Sequence, residues 1–185
     1  AEWPALRARI RIVEPGLVDL PRRNASRRYG QGVRGDPLRV IFIGTWLPHK
    51  GLDLLVDAIR ALDPDRISLA VHGAGVEGSE AWIETLRQRA QGAPIRWCGA
   101  FAAGELEAVL AGADVLALPS RCDESYSRVV REARAAGLAV IASETGGPGD
   151  LLRDGVDALL VPPGDGGALR QALARLVADP ALVAR

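Results

Sequence analysis

Leu38-Arg39-Val40-Ile41-Phe42-Ile43-Gly44-Thr45-Trp46-Leu47-Pro48-His49-Lys50-Gly51-Leu52-Asp53-Leu54-Leu55-Val56-Asp57-Ala58-Ile59-Arg60-Ala61-Leu62 changes its hydrophobic period once. Leu38–Ile43 is a near-continuous apolar run, as expected of a strand covered on both faces. After a glycine-flanked loop, Leu52, Leu55, Val56, Ile59 and Leu62 recur at helical spacing. A buried strand followed directly by an amphipathic helix is half of a parallel βαβ unit.

The same alternation continues to the end of the chain. Further strand-like runs fall at Ile67–His72, 95–98, Val115–Leu118, 139–142 and 158–161. Helical patterns fall at 52–62, 80–90, 105–111, 128–136 and 168–178, with a short turn at 150–153. Single helices between short apolar strands imply right-handed crossovers and a doubly wound, Rossmann-like α/β domain over residues 37–185. Residues 1–36 read as a leading segment or interdomain linker, with a strand candidate at Ile10, Ile12 and Val13 and an arginine cluster (Arg22, Arg23, Arg27, Arg28, Arg34) in a polar loop.

Loop composition is lopsided. Loops that lead into strands are plain turns such as Asp63-Pro64-Asp65 and Gly112-Ala113-Asp114. Loops that leave strands hold Gly44-Thr45-Trp46, Gly73-Ala74-Gly75, Gly99-Ala100-Phe101, the polar stretch 119–127 and Ser143-Glu144-Thr145-Gly146-Gly147. Ligands of open parallel sheets bind outside the carboxyl ends of the strands, so that edge is the expected functional one.

Composition narrows the function classes. Of 185 residues 48% are apolar, enough for one sizeable core, and 23 basic residues balance 23 acidic ones. That balance gives no footprint for nucleic acid or membrane, and no apolar run approaches the roughly 18 residues of a membrane helix. Two cysteines, Cys98 and Cys122, give no disulfide framework and fit a reducing cytosol, where both are expected to be buried and inert. Two histidines without metal-ligand spacing argue against a zinc site. The chain starts at Ala1 and lacks methionine, as expected of a piece of a longer protein. Among 23 cations Lys50 is the single lysine. Lysine meets phosphate as a compact point charge, whereas arginine is a planar fork, so Lys50 is a phosphate-binding candidate.

The other constellation is Glu124-Ser125-Tyr126-Ser127-Arg128-Val129-Val130-Arg131-Glu132. Backbone amides at the start of the following helix form an anion site. On spacing alone the residues also read as ordinary: Glu124 as a helix-start anion, Glu132 and Lys50 as solvated charges.

Residues 38–165 resemble the C-terminal half of group 1 (family 4) glycosyltransferases, which have the two-domain GT-B fold. The resemblance rests on Ile41-Phe42-Ile43-Gly44 through Lys50-Gly51, and on two glutamates separated by seven residues, Glu124 and Glu132. It continues through Ala133-Arg134-Ala135-Ala136-Gly137-Leu138-Ala139-Val140-Ile141-Ala142, Gly146-Gly147, Asp154-Gly155 and Leu159-Leu160-Val161-Pro162-Pro163-Gly164-Asp165; Arg11-Ile12-Val13-Glu14-Pro15-Gly16-Leu17-Val18-Asp19 resembles the approach to this half. It implies a donor-binding domain of a retaining, metal-independent enzyme, needing no cofactor and taking a nucleotide-diphosphate sugar. Lys50 would neutralise the diphosphate leaving group. The amides of Ser125, Tyr126, Ser127 and Arg128 would cradle the phosphates, beside Gly44 and Thr45. Glu124 would support an oxocarbenium-like transition state, and Glu132 would accept from the ribose hydroxyls. Gly99 and Ala100 would face the base, with Gly75 on the same wall. The general acid or acceptor-side histidine, and the site for an acceptor glycan, lipid or small molecule, would belong to an N-terminal domain absent from this chain. The whole protein is then expected in the cytoplasm, free or peripheral to a membrane.

Two departures stand out. The family's arginine after the first glycine is Thr45 here, for which Arg121 or Arg128 are candidate substitutes, and Asp150 replaces a glutamate after the Gly-Gly loop. The loss at Thr45 keeps open a nucleotide-sugar-binding module with degenerate catalysis; a GT-B-type sugar-nucleotide epimerase is the other alternative. His49 is expected to be a loop residue. Trp46 either shields the phosphate site or packs in the core.

Overall fold

Six strands pair in parallel in the order 3-2-1-4-5-6. They are β1 (Leu38–Ile43), β2 (Ile67–His72), β3 (Ile95–Gly99), β4 (Val115–Leu118), β5 (Ala139–Ser143) and β6 (Leu159–Val161). The connecting helices are α1 (Leu52–Arg60), α2 (Glu80–Arg89), α3 (Leu106–Ala111), α4 (Arg128–Ala135), α5 (Gly146–Leu151) and α6 (Gly166–Ala178). This computed structural model describes residues 36–184. The strand candidate at Ile10, Ile12 and Val13, the arginine cluster and the family-like segment 11–19 lie outside the described residues.

The period-2 geometry of each strand divides the core into two layers. Val40 and Phe42 of β1, Val115 and Ala117 of β4, and Ile141 of β5 face one side. There they pack with Leu52, Leu55, Val56 and Ile59 of α1 and Leu169, Leu173 and Leu176 of α6. Ile41, Leu116, Leu118, Val140 and Ala142 face the other side, against Leu106 and Leu110 of α3 and Val130 and Ala133 of α4. β4 is buried at every position, which accounts for its uninterrupted apolar text. At the amino-terminal edge, Asp114 clips β1 to β4. Its Oδ2 accepts from the Arg39 backbone amide at 3.0 Å and from Nε at 2.9 Å, and its Oδ1 from Nη2 at 2.6 Å.

The doubly wound sheet expected from the alternation is therefore present. The chief local difference is α5, a helix where only a turn at 150–153 was expected. Glycine and proline mask it in the sequence, but Pro148 sits in the first turn, where its missing N–H is not needed. Its carbonyl accepts from Leu152 N at 2.9 Å.

Gly51 decides how closely two loops can approach. It is left-handed (φ 70°), and a Cβ at this position would lie 1.9 Å from the Pro119 carbonyl oxygen. Gly51→Ala is therefore expected to cost about 2 kcal/mol or more in unfolding free energy, measured by urea denaturation. A loss within about 0.5 kcal/mol, as at an ordinary surface position, would show that the loops separate freely.

Candidate functional site

The strand order reverses between β1 and β4, which are hydrogen-bonded neighbours. α1 leaves β1 toward one layer and α4 follows β4 on the other. The loops that follow the two strands lie side by side at the carboxyl edge, where open parallel sheets have their binding crevice.

Lys50 and Glu124 meet there. The β1 loop ends in a 3-10 turn, Pro48–Lys50, closed by Gly51 N donating to the Pro48 carbonyl at 3.1 Å. It delivers Lys50 Nζ to Glu124 Oε1 at 2.8 Å, and Ser120 Oγ donates to the same oxygen at 2.5 Å. Both side chains are largely shielded, with 22% and 14% exposure. Burial alone would raise the Glu124 carboxyl's pKa. The hydrogen bonds from Lys50 and Ser120, with the charges of Lys50 and His49, outweigh it and hold the pKa below the ordinary glutamate value.

The Glu124 loop is held from behind by the start of α5. Gly147 N donates to the Glu124 carbonyl at 2.5 Å, and Thr145 Oγ1 donates to the Cys122 carbonyl at 3.0 Å. A Cβ on Gly146 would lie 2.6 Å from the Glu124 carbonyl oxygen, so the Gly-Gly pair permits the contact. Past Glu124 the loop turns through Ser127, the N-cap of α4, at φ 49° and ψ 64°. It is the one non-glycine residue with positive φ among the described residues. Such strain is retained where surrounding structure over-determines it. Ser127 Oγ is buried without a hydrogen-bond partner. α4 thus begins four residues after Glu124, with Ser125 and Arg128 exposed. Tyr126 packs under the Arg131 guanidinium, 4.3 Å from its ring centre.

The remaining expected residues are more dispersed. Gly44 donates to the His72 carbonyl at 3.2 Å, and its own carbonyl fills the space of a Gly73 Cβ. Thr45 is half-buried in the same loop. Gly99 (φ 76°) ends β3 with open space where a side chain would stand, and Ala100 after it is exposed. Glu132 lies half-buried in the second turn of α4 and makes no hydrogen bond with Lys50 or Glu124. Gly75 packs against α2: a Cβ there would lie 2.3 Å from Ile83 Cδ1, so its smallness serves packing. Trp46 is a core residue, edge-on to Trp97 at 5.3 Å. His49 is an exposed loop residue whose carbonyl accepts from Arg121 N. Neither cysteine is buried as expected: Cys122 is exposed in the loop after β4, and Cys98 is half-buried on β3, a strand at the edge of the sheet.

Arg121 differs from its expected part. Its fork is taken up by Asp53 of α1, through Nη1 to Oδ1 and Nη2 to Oδ2, both at 2.7 Å. Arg128 is exposed at the start of α4. Sequence reasoning passed over Asp53 and Ser120. Asp53 looks like any first-turn helix acid and Ser120 like a loop serine; their partners lie 68 and 4 positions away. Among the described residues no three His, Cys, Asp or Glu side chains are grouped to hold a metal ion.

The depressed Glu124 value has a sign. The folded state binds its proton less readily than the unfolded chain, so this contribution is complete above the ordinary glutamate range. It is lost as pH falls through that range to the folded value. Unfolding free energy measured from pH 7 to pH 3 should therefore fall more steeply in the wild type than in Glu124→Gln. Parallel curves would remove the ion pair from the stability of the native state.

Known proteins bear directly on this arrangement. Residues 37–179 match the family described as "Glycosyl transferases group 1". The D-inositol 3-phosphate glycosyltransferase of Corynebacterium glutamicum is 35% identical over 92% of this chain and 44% of its own length. The phosphatidyl-myo-inositol mannosyltransferase of Mycobacterium leprae is 36% identical over 77% of this chain and 38% of its own. The chain thus spans less than half of the relatives it matches. Sucrose-phosphate synthase from Thermosynechococcus elongatus superposes with TM-score 0.78 at 28% identity, over 94% of this chain and 44% of that one. Anabaena HepE, crystallised with UDP, shares the fold at TM-score 0.75 and 23% identity over 87% of this chain and 44% of its own. No helix among the described residues is long and apolar enough to cross a membrane. With the family match spanning most of the chain, and with relatives above 30% identity aligned along nearly its whole length, this protein belongs to the group 1 glycosyl transferases.

Proposed function

We propose that this chain is the donor-binding domain of a retaining, metal-independent glycosyltransferase that takes a nucleotide-diphosphate sugar. An N-terminal domain outside this chain would bring the acceptor. The observation that carries the reading is the Lys50–Glu124 pair, set on adjacent loops at the switch point of a parallel sheet.

The chemistry follows from the charges. Lys50 has three ammonium donors, and Glu124 engages one of them at 2.8 Å. The others are available to a diphosphate, whose negative charge grows as the glycosidic bond breaks. The α4 amides, with the helix dipole behind them, add a second source of positive potential. Glu124 Oε1 is held by Lys50 and Ser120. Its Oε2 has no hydrogen bond among the described residues and is free to face an electron-poor anomeric carbon. Glu132, farther along α4, serves the ribose hydroxyls, and Gly99 with Ala100 presents backbone groups to the base. Support for a nucleotide donor comes from HepE, which was crystallised with UDP and with UDP-glucose.

A second reading, a binding module without catalysis, is favoured by one observation. Thr45 replaces the family arginine, and the nearby Arg121 fork is occupied by Asp53. The two readings separate by experiment. Under the enzymatic reading, Lys50→Ala weakens binding of UDP, GDP or ADP by about 10- to 100-fold, the size of a lost charge-assisted bond, in isothermal titration. Glu124→Gln in the full-length protein leaves that affinity within threefold yet lowers turnover by about 100-fold or more. Unchanged affinity in Lys50→Ala, or unchanged turnover in Glu124→Gln, removes the assigned role. The 185-residue chain alone is expected to bind donor without acceptor-dependent transfer, because an open half-cleft neither excludes water nor presents a nucleophile. Detecting labelled glycoside product with this chain and an acceptor would overturn that expectation.

A further inference from the structure

Lys50 and Glu124 belong to different loops, and the internal hydrogen bonds of the 3-10 turn that carries Lys50 stay within its own loop, which does not fix the distance between the two. Arg121, three residues before Glu124, spans the gap. Its backbone amide donates to the His49 carbonyl at 2.7 Å, and its Nη1 donates to the Pro48 carbonyl at 2.5 Å. The same guanidinium grips both carboxylate oxygens of Asp53, in the first turn of α1. Pro48, His49 and Lys50 form one 3-10 turn. Two of its carbonyls are therefore pinned by a single residue of the opposite loop, immediately before Lys50. Bidentate arginine–carboxylate pairs fix orientation as well as distance, and a partly exposed pair, here 34% and 19% exposed, gives little stability alone. Its effect is geometric.

We propose that Arg121 and Asp53 form a positioning clamp that sets where the Lys50 ammonium stands relative to Glu124. The proposal rests on the reading of Lys50 and Glu124 as the reacting pair. It assigns Arg121 to the β1 loop and not to the donor phosphates. Asp53 is the second half of the clamp: it aligns the fork so that Nη1 also reaches the Pro48 carbonyl. Losing either partner lets the 3-10 turn drift and loosens the Lys50–Glu124 hydrogen bond.

Asp53→Asn and Arg121→Lys test this in the 185-residue chain. The first keeps the shape of Asp53; the second keeps the charge of Arg121 but loses the fork. Carbon-13 NMR titration of the Glu124 carboxyl in ligand-free protein is the direct readout. The clamp predicts that the Glu124 titration moves up toward the ordinary glutamate range in both variants, while a merely structural pair lowers the melting temperature and leaves that titration in place. Nucleotide titration is the second readout. The clamp predicts that Asp53→Asn binds UDP, GDP or ADP about three- to tenfold more weakly. If Arg121 were a phosphate ligand held in reserve, Asp53→Asn would free it and binding would stay equal or tighten, which overturns the proposal. Absence of nucleotide binding in the wild type counts against the donor reading instead, and the carboxyl titration then decides the clamp by itself. Circular dichroism checks folding of each variant, and either folded variant suffices for the titration.

Discussion

The carbonyl oxygen of Pro119 occupies the space that a side chain on residue 51 would need. Around that contact the carboxyl edge of the sheet is organised. A left-handed glycine lets the β1 loop lie directly on the end of β4, which brings the turn carrying Lys50 over the loop carrying Glu124. Any other residue at position 51 would hold the two loops apart, and an ammonium and a carboxylate separated by even a few more ångströms would be divided by water. The ion pair at the crevice is thus a consequence of backbone packing.

Both faces of the sheet are covered by helices, and that accounts for where the chemistry sits. With β4 buried along its whole length and the neighbouring strands nearly so, the crossover loops at the carboxyl edge are where polar side chains can gather at a smaller desolvation cost than in the core. The Gly146-Gly147 start of α5 then holds the Glu124 loop by its backbone. Ser127 takes the strain of turning that loop into α4. The charged pair stands on a rigid layered core but is set by loop-to-loop contacts, the arrangement expected where a site needs fixed geometry and open access together.

The use of cations is consistent across the described residues. Arginine appears wherever a planar fork meets a carboxylate: Arg39 with Asp114, Arg121 with Asp53, Arg89 with Asp57, and Arg134 and Arg153 with Asp157. Lysine appears once, where a compact charge on a flexible stem can serve a carboxylate and still offer donors to an anion. A guanidinium at position 50 would commit its donors in one plane. The chain's preference for arginine therefore describes its scaffold, and its single lysine the place where the scaffold stops.

Much of this was legible in the residues. The alternation of apolar runs with helical stripes carried the doubly wound sheet, because burial on two faces leaves a periodic record along the chain. The segregation of glycine and polar residues into the loops after strands marked the functional edge, and Lys50, Glu124 and the Gly-Gly loop stood out by type and spacing. The incomplete burial of the cysteines, the helix at Gly146–Leu151 and the packing role of Gly75 were not legible, since each depends on what lies beside it in space. Above all, the partnership of Arg121 with Asp53 left no mark in the sequence. A hydrogen bond between the segments that follow β1 and β4, 68 positions apart in the chain, has no period and no local propensity. It exists only because the sheet reverses its strand order between β1 and β4 and sets those two loops side by side.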